Sequence, residues 1–393
     1  MAQALVDTLP DAVGRCEVQV LTTYPRQDRA ERPEGVGLVS LRPVQLVFPV
    51  LPIALLVGLL RRLGGSGRGL AGLHPVTRCL SRADVVLDVA GISFVDGRSF
   101  PTLVYNVLMT GVPLLLGAPV VKCAQAIGPF ETRLNRRAAR AVLPRLRAVL
   151  TRGERTHRHA ESLGLTNARR ADDLAFLMKL PSVSADRAEQ LLAERAVRRP
   201  FVAVAPSSVV KAYGADHGLD YPAVLAQLIQ RIRQRLDVDV VLVPHSARPG
   251  KPESRMNDLP LCAEIHAAVD DPRTHLSDVS LRPAELRALI DASELLITSR
   301  FHAMISALTT STPVLVIGWS HKYEEVLGEF GLSELVVPYD QLDPDELERR
   351  LTDVWERRVS IAERIGEGLP AVRSSAWTNL EVIREQLGER SSR

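Results

Sequence analysis

The sequence contains little cysteine, few aromatic residues and no excess of one charge. Its four cysteines lie far apart without a CxxC pair, which argues against a disulfide framework or a structural zinc site. With 49 Lys+Arg against 46 Asp+Glu, the net charge of +3 lacks the basic excess that binds a polyphosphate backbone. We therefore expect a reducing compartment, the cytoplasm, and no nucleic acid partner.

Several catalytic motifs are also missing. The chain has no GxxxxGK[ST], no GxGxxG that opens a helix after a strand, and no HExxH, so a P-loop NTPase, a conventional dinucleotide enzyme and a zinc hydrolase lose support. No obvious carboxylate pair indicates a catalytic metal, and we predict no metal site. Met1 to Pro10 has neither a basic run nor an apolar core, so we do not expect a signal peptide.

What is present indicates two α/β domains. A length of 393 residues favours two domains, and 46% hydrophobic with 24% charged residues is typical of a globular protein. Short apolar runs alternate with helical patterns, as in parallel sheets covered on both faces. We predict an N-terminal Rossmann-like domain at 1–180, a polar helical linker at 181–200, a second Rossmann-like domain at 201–343 and C-terminal helices at 344–393. The predicted strands are 17–22, 84–89, 120–126, 148–151, 201–205, 238–243, 295–298 and 314–317. The predicted helices of these two domains lie near 133–142, 154–162, 221–235, 283–292 and 303–309.

One apolar stretch, Val44 to Leu60, is bounded by arginines on both sides. Pro49 and Pro52 interrupt it, and the clean helical piece from Ile53 to Leu60 is shorter than the about 20 residues that a membrane span needs. A buried helix is one interpretation. The other is a surface helix that enters the lipid headgroup region at the inner membrane face, with two arginines on anionic lipid.

Ligands of open α/β sheets bind beyond the carboxyl ends of the strands, so polar residues that follow apolar runs are candidate site residues. In the first half these are Gly91 and Asp96 after strand 84–89, and Gln125 and Gly128 at the end of strand 120–126. An ordinary turn explains each of them equally well.

The second half carries stronger indications. Strand 295–298 is followed by Arg300 and His302 where a helix begins, and strand 314–317 is followed by Lys322. We predict an anion site here, because a guanidinium, an ammonium and the N-terminus of a helix all attract anions. A histidine adds a group that titrates near neutrality. The alternatives are that Arg300 pairs with an acid, that His302 is a cap and that Lys322 lies on the surface. The other two strand ends add Ser207, Lys211 and His245, for which structural roles are again the alternative.

Six short motifs in register resemble the polysaccharide pyruvyl transferase family, over about residues 84 to 332. They are Asp88-x-x-Gly-x-x-Phe-x-Asp96, Gln125-Ala-Ile-Gly-Pro-Phe130, Arg152-x-Glu154, Asp173-Leu-Ala-Phe176, Ser299-Arg-Phe-His302 and Pro313 through Lys322. The resemblance implies a GT-B-like pair of domains with a cleft between them. It also implies an enzyme that uses phosphoenolpyruvate as co-substrate, with no other cofactor, to form a pyruvate ketal on a sugar of a cell-envelope polysaccharide or exopolysaccharide.

The resemblance also assigns roles. We expect His302 as the acid, Arg300 as a donor clamp and Asp96 as a base, for which Glu154 is an alternative. The predicted donor-binding residues are Arg300, Phe301, His302, Lys322, His245, Ser207 and Lys211. The predicted acceptor-binding residues are Gly91, Asp96, Gln125, Gly128, Arg152 and Glu154.

The chain departs from the family pattern in two places. Ala90-Gly91 stands where Gly-Gly is usual, and the opening strand has no counterpart before Ala2, so the chain is expected to begin inside the first helix of the family fold. Two alternatives to the transferase remain open: a nucleotide-sugar-dependent GT-B glycosyltransferase, and an inactive carbohydrate-binding relative. The expected partners are phosphoenolpyruvate and a saccharide acceptor, for which a lipid-linked form is one option.

Overall fold

The computed structural model describes residues 2–33, 35–248, 252, 254, 256–277 and 281–391. The chain divides into two compact units. The first comprises Met1–Met178 with Arg373–Arg393, and the second comprises Lys179–Val372.

The first unit has a parallel four-stranded sheet and a separate parallel pair of strands. Its strands are β1 (Val18–Thr22), β2 (Val36–Ser40), β3 (Val86–Asp88), β4 (Val120–Gln125), β5 (Ala148–Thr151) and β6 (Ala168–Arg170). The larger sheet has the order β3-β4-β5-β6, and β1 pairs with β2. Its helices are α1 (Ala2–Val13), α2 (Pro25–Glu31), α3 (Pro43–Gln45), α4 (Leu51–Arg62), α5 (Arg68–Ala71), α6 (Pro75–Arg82), α7 (Phe100–Leu116), α8 (Arg133–Val142) and α9 (Glu154–Leu163). A kinked segment at Leu46–Val50 joins α3 to α4, and 3₁₀ turns lie at Leu143–Arg145 and Leu174–Leu177.

The second unit is a doubly wound parallel sheet. Its strands are β7 (Phe201–Ala205), β8 (Asp239–Leu242), β9 (Thr274–Leu276), β10 (Leu295–Thr298), β11 (Val314–Gly318) and β12 (Val336–Pro338). The order β12-β11-β10-β7-β8-β9 is that of a Rossmann fold, with the direction of winding reversed between β7 and β10. Its helices are α10 (Ser182–Glu194), α11 (Ser208–Ala215), α12 (Tyr221–Leu236), α13 (Leu259–Val269), α14 (Pro283–Asp291), α15 (Phe301–Thr309), α16 (Lys322–Gly328), α17 (Pro344–Glu356) and α18 (Arg358–Ser391). Short 3₁₀ turns occur at Ser333–Leu335 and Tyr339–Gln341.

The predicted α/β class with parallel sheets is confirmed, and every predicted strand is present with ends within two residues of those expected. The central strands β7, β10 and β11 are buried along their whole length, which is why they appear in the sequence as continuous apolar runs.

The division of the chain differs in detail from the predicted one. The segment predicted as a linker, 181–200, contains α10, which buries Ala188, Leu191 and Leu192 and packs against α14 in the second unit. The C-terminal helices are shared: α17 and the start of α18 belong to the second unit, and α18 from Arg373 onward belongs to the first. Apolar residues on that last part, Leu380 and Ile383, enter a core cluster with Cys123 of β4, so the sheet of the first unit is completed from the far end of the chain.

The apolar segment forms the connected helical stretch Pro43–Arg62. It has the length (20 residues) and mean hydropathy (2.2) of a membrane span, but the backbone of Phe48 is extended (φ −149°, ψ 119°) and breaks the helix. The uninterrupted part is α4, with 12 residues. The predicted break at Pro49 is confirmed. Pro52 does not break the helix because it lies in the first turn of α4, where no backbone hydrogen bond is lost.

Candidate functional site

Each unit carries a cluster of buried polar residues at the carboxyl edge of its sheet. In the first unit the cluster surrounds Lys122, a residue of β4 with a 1% exposed side chain. Lys122 forms an ion pair with Asp88 at the end of β3 and donates to Ser93 Oγ at 3.3 Å. Ser93 in turn donates to Gln125 Oε1 at 2.5 Å, and Gln125 Nε2 donates to the Asp88 carbonyl at 3.3 Å. Burial disfavours the charge of Asp88, but Lys122 and these hydrogen bonds outweigh it and lower the pKa of the carboxyl.

Arg152 extends this cluster. Its side chain is 3% exposed, and Nη1 donates to Asp173 Oδ2 at 2.6 Å while Nη2 donates to the Gly91 carbonyl at 3.1 Å. Asp173 is itself fully buried and caps the 3₁₀ turn that follows it, through a bond from Ala175 N. The structure thus brings together the predicted residues Gly91, Gln125 and Arg152.

Gly91 and Gly128 are glycines for different reasons. Gly128 has φ +86°, and a Cβ there would lie 2.7 Å from Cβ of His159 on α9, so the fold itself requires glycine. At Gly91 the backbone φ is negative and a Cβ would meet no atom within 4 Å. The described residues would accept a side chain at position 91. The free space next to the Gly91 backbone is compatible with a ligand that binds there.

The two predicted carboxylates of the first unit are engaged in the fold. Asp96 accepts bonds from Thr132 and Asn135 and from the backbone of Glu131, at the start of α8. Burial raises its pKa, and these donors outweigh burial and lower the pKa below the usual value. Glu154, in the first turn of α9, is exposed and forms ion pairs with Arg158 and Arg170 at 3.6 and 3.5 Å.

In the second unit the centre of the cluster is Asp258, a fully buried residue that the sequence analysis missed. It accepts from the backbone N–H groups of Ser208 (3.0 Å) and Ser246 (3.1 Å), and from Nε (2.7 Å) and Nη2 of Arg300. One carboxylate therefore connects the segments that follow β7, β8 and β10, across the position where the winding of the sheet reverses. The alternative that Arg300 pairs with an acid is what the structure shows, and this bidentate pair fixes the plane of the guanidinium.

His245, in the segment after β8, lies beside this pair. Burial, followed by the charges of His302, Arg300 and Arg287, lowers its pKa to about 3. The imidazole is therefore neutral at pH 7 in the ligand-free protein. Arg287 on α14 is 1% exposed and was also missed, because a lone arginine on a predicted amphipathic helix is normally a solvated residue.

Lys322 lies at the start of α16 and is buried rather than on the surface. Its Nζ lies 4.2 Å from the ring centroid of Trp319, 4.9 Å from that of Phe301 and 5.3 Å from that of Tyr323. Aromatic faces attract a cation without neutralising it. Phe301 also contacts the ring of the next residue, His302, edge to face at 5.5 Å.

The remaining predicted donor residues have structural partners. Ser207 is buried at the N-terminus of α11, where its Oγ accepts from Val209 N at 3.3 Å. Lys211 on the same helix pairs with Glu264 of α13 at 2.6 Å. No group of three or more His, Cys, Asp or Glu residues that could hold a metal ion occurs within the described ranges.

Comparisons with known proteins match this fold. A family model described as polysaccharide pyruvyl transferase matches residues 2–321. UDP-GlcNAc 2-epimerase from Neisseria meningitidis, solved with UDP-GlcNAc, is similar with a TM-score of 0.58 at 12% identity, covering 95% of this chain and 91% of that one. The Anabaena protein HepE, solved with UDP and glucose, is similar with a TM-score of 0.55 at 12% identity, covering 99% of this chain and 95% of that one. The UDP-GlcNAc 2-epimerase from Methanocaldococcus jannaschii has a TM-score of 0.57 at 11% identity, covering 90% of this chain and 88% of that one. These similarities show a GT-B-like fold of two Rossmann-like units.

Proposed function

Because the chain belongs to the polysaccharide pyruvyl transferase family, we propose that it transfers the pyruvyl group of phosphoenolpyruvate to two hydroxyls of one sugar, forming a pyruvate ketal. The sugar belongs to a cell-envelope polysaccharide or an exopolysaccharide. The proposal treats phosphoenolpyruvate as a co-substrate and requires no other cofactor.

The observation that carries this proposal is that cationic side chains follow two neighbouring strands of the second sheet, next to the position where its winding reverses. Arg300 follows β10 and Lys322 follows β11, and these strands are neighbours in the sheet. Phosphoenolpyruvate has a phosphate and a carboxylate on a three-carbon frame, so its site needs cations and helix N-termini close together. The rings of Trp319, Phe301 and Tyr323 surround the Lys322 ammonium and attract it to this end of the sheet.

The proposed chemistry is an acid-catalysed addition to the double bond of phosphoenolpyruvate, followed by a substitution at the same carbon. His302 delivers a proton to the methylene carbon, which becomes a methyl group, and the central carbon accepts the oxygen of a first sugar hydroxyl, whose proton is released. The second hydroxyl then replaces the phosphate at this carbon and releases its proton, and phosphate leaves with the C–O electron pair. An imidazole can both hold and release a proton, which suits this acid role.

The donor is assigned to the second unit, with Arg300 held in position by Asp258. The acceptor groups are assigned to the first unit, where Gly91 and Gln125 lie beside the Arg152 pair. Asp96 remains the proposed base, although its bonds to the start of α8 favour the ionised form and weaken it as a proton acceptor.

A direct assay tests this function. The purified chain is incubated with phosphoenolpyruvate and a panel of galactose, mannose and N-acetylmannosamine glycosides, and phosphate release is measured together with the mass of the saccharide. Acceptor-dependent phosphate release with a ketal product is the expected result. Phosphoenolpyruvate binding without turnover on any acceptor would instead favour a carbohydrate-binding protein without activity.

A nucleotide-sugar-dependent glycosyltransferase is the second candidate, because the similar structures include proteins solved with UDP or UDP-GlcNAc. A ligand that binds only the native state raises the unfolding midpoint, so thermal shifts with phosphoenolpyruvate and with nucleoside diphosphates separate the two candidates. Stabilisation by a nucleoside diphosphate and none by phosphoenolpyruvate would reverse our preference.

A further inference from the structure

The surface of the first unit has one strongly apolar region, which we call the α4 surface. It consists of Val44, Val47, Phe48, Leu55, Leu56, Leu59, Leu60 and Leu63. Fifteen large hydrophobic side chains are exposed in the part of the chain that the structure describes, and eight of them belong to this surface. Val44, Phe48 and Leu63 are each more than 70% exposed. Single exposed apolar residues are normal, but a contiguous group marks an interaction site.

The exposure of these residues follows from how α4 packs. Ala54 and Val57 are buried against neighbouring helices, and a Cβ at Gly58 would lie 3.1 Å from the side chain of Leu115 on α7. The small residue at Gly58 thus brings one face of α4 close to α7. Residues four positions apart share a face, so Leu55 and Leu59 form one row on the opposite side, and Leu56 and Leu60 form another.

The stretch of sequence that contains the α4 surface carries charge of one sign. The 49 residues from Gly35 to Ala83 contain no aspartate and no glutamate but six arginines, although the whole chain is nearly balanced at 49 basic against 46 acidic residues. All six arginines, at positions 42, 61, 62, 68, 78 and 82, are exposed. An exposed apolar surface whose flanking sequence is basic matches an anionic lipid leaflet, which offers acyl chains beneath negative headgroups.

We propose that the α4 surface docks the protein on an anionic bilayer, with α4 lying in the headgroup region and not crossing it. The break at Phe48 leaves α4 with 12 residues, about 18 Å of helix, which is shorter than the hydrocarbon thickness of about 30 Å. A second copy of this chain would fit the surface less well. A two-fold contact would bring the two sets of arginines together, with no carboxylate from the same stretch to offset them.

The test is flotation of the full chain with vesicles of phosphatidylcholine alone and of phosphatidylcholine with phosphatidylglycerol. We expect the protein to float with the anionic vesicles, to float little with the neutral ones and to be released at high salt. The variant Leu56→Asp with Leu59→Asp should reduce binding at least tenfold, since two carboxylates replace apolar contacts. Val183→Asp on α10, at an exposed apolar residue of the second unit, is the control and should bind like the original chain.

A charge variant keeps the test independent of folding. Arg62→Gln with Arg68→Gln leaves the apolar residues in place and should weaken binding to anionic vesicles by about fivefold per arginine. Thermal unfolding of each variant verifies that its fold is retained.

Three results would overturn the proposal. The first is no flotation with anionic vesicles, the second is equal flotation of the folded aspartate variant, and the third is a dimer in sedimentation that the same two substitutions dissociate while lipid has no effect. Pyruvyl transfer to a soluble glycoside is measured in parallel. Because the α4 surface contains no proposed active-site residue, a failure of lipid binding can be distinguished from a failure of the proposed function.

Discussion

His302 lies in the first turn of α15, the helix that follows β10, and its proposed task is to give a proton to carbon. Removal of the imidazole in His302→Ala should therefore lower kcat by about 10²–10⁴-fold and change the affinity for phosphoenolpyruvate much less. The measurement is kcat from phosphate release, together with the Kd of phosphoenolpyruvate from thermal shifts. An unchanged kcat would remove His302 from the mechanism.

Asp258 acts on a residue of the proposed site through its bonds to Arg300. In Asp258→Asn the charge that orients the guanidinium is lost, so KM for phosphoenolpyruvate should rise by about ten- to a hundredfold. Steady-state kinetics give KM and kcat separately. Asp220→Asn, at the N-terminus of α12 in the same unit, is the control and should leave KM unchanged. Equal KM values for the Asp258 variant and the control would show that the pair does not position a donor clamp.

His245 should make the second unit sensitive to acid. Its pKa is about 3 in the folded protein, against about 6.5 unfolded, so the unfolded chain binds a proton at a pH where the folded chain does not. The resulting stabilisation is complete above about pH 6.5 and decreases as the pH falls toward 3, by up to about 3 kcal/mol at pH 4. The unfolding midpoint of the original chain should therefore fall more between pH 7 and 4 than that of His245→Asn. His217→Asn, at an exposed histidine, is the control. Parallel dependence of the unfolding midpoint on pH in all three proteins would contradict the lowered pKa of His245.

At the scale of elements, the approach of α9 to the end of β4 depends on Gly128. In Gly128→Ala a methyl group meets His159 at 2.7 Å at a positive φ, and we expect a loss of about 1–3 kcal/mol of stability. In Gly91→Ala the methyl group meets no atom within 4 Å and φ is not positive. The stability of this variant should therefore equal that of the original chain, while its KM for the saccharide acceptor rises. Chemical denaturation and acceptor kinetics test the pair. A destabilised Gly91 variant, or an unchanged acceptor KM, would mean that Gly91 does not face the acceptor.

The strands and helices that could be predicted from the sequence are those that contain an apolar run or a regular spacing of apolar residues. Strands β7 and β10 match their predicted limits because each is buried on both faces. Strand β6 (Ala168–Arg170) was missed because it has three residues, two of them exposed arginines, and is defined only by pairing with β5. The locations of Arg300 and Lys322 beyond the ends of β10 and β11 could be predicted because each cation comes shortly after an apolar run. Asp258 could not, because no apolar run precedes it in the sequence and its three hydrogen-bonding partners, Ser208, Ser246 and Arg300, belong to other segments of the chain.

At the scale of the molecule, the first unit depends on a residue near the end of the chain. Asn379 of α18 is fully buried, accepts from Ala124 N of β4 at 2.8 Å and donates to the Asp172 carbonyl at 3.0 Å. Asn379→Ala leaves both groups without this partner and should destabilise the first unit by about 2–4 kcal/mol. Calorimetry or denaturation, with Glu381→Ala at an exposed site of the same helix as control, measures the loss. Equal stability of the two variants would show that α18 is dispensable to the sheet.

The shared helix α18 also has a consequence for how the protein is made. A ribosome that has finished residue 178 must still synthesise all of residues 179–372 before the part of α18 that fills the first unit exists. At roughly 5–20 residues per second this interval is about 10–40 s. During this interval β4 lacks Asn379 and the apolar residues of α18 that pack against it, whereas the second unit is continuous and can fold as it emerges. The first unit is thus synthesised first, but its core is completed last. On the nascent chain we therefore expect ribosome-associated chaperones to stay bound to the first unit for longer than to the second.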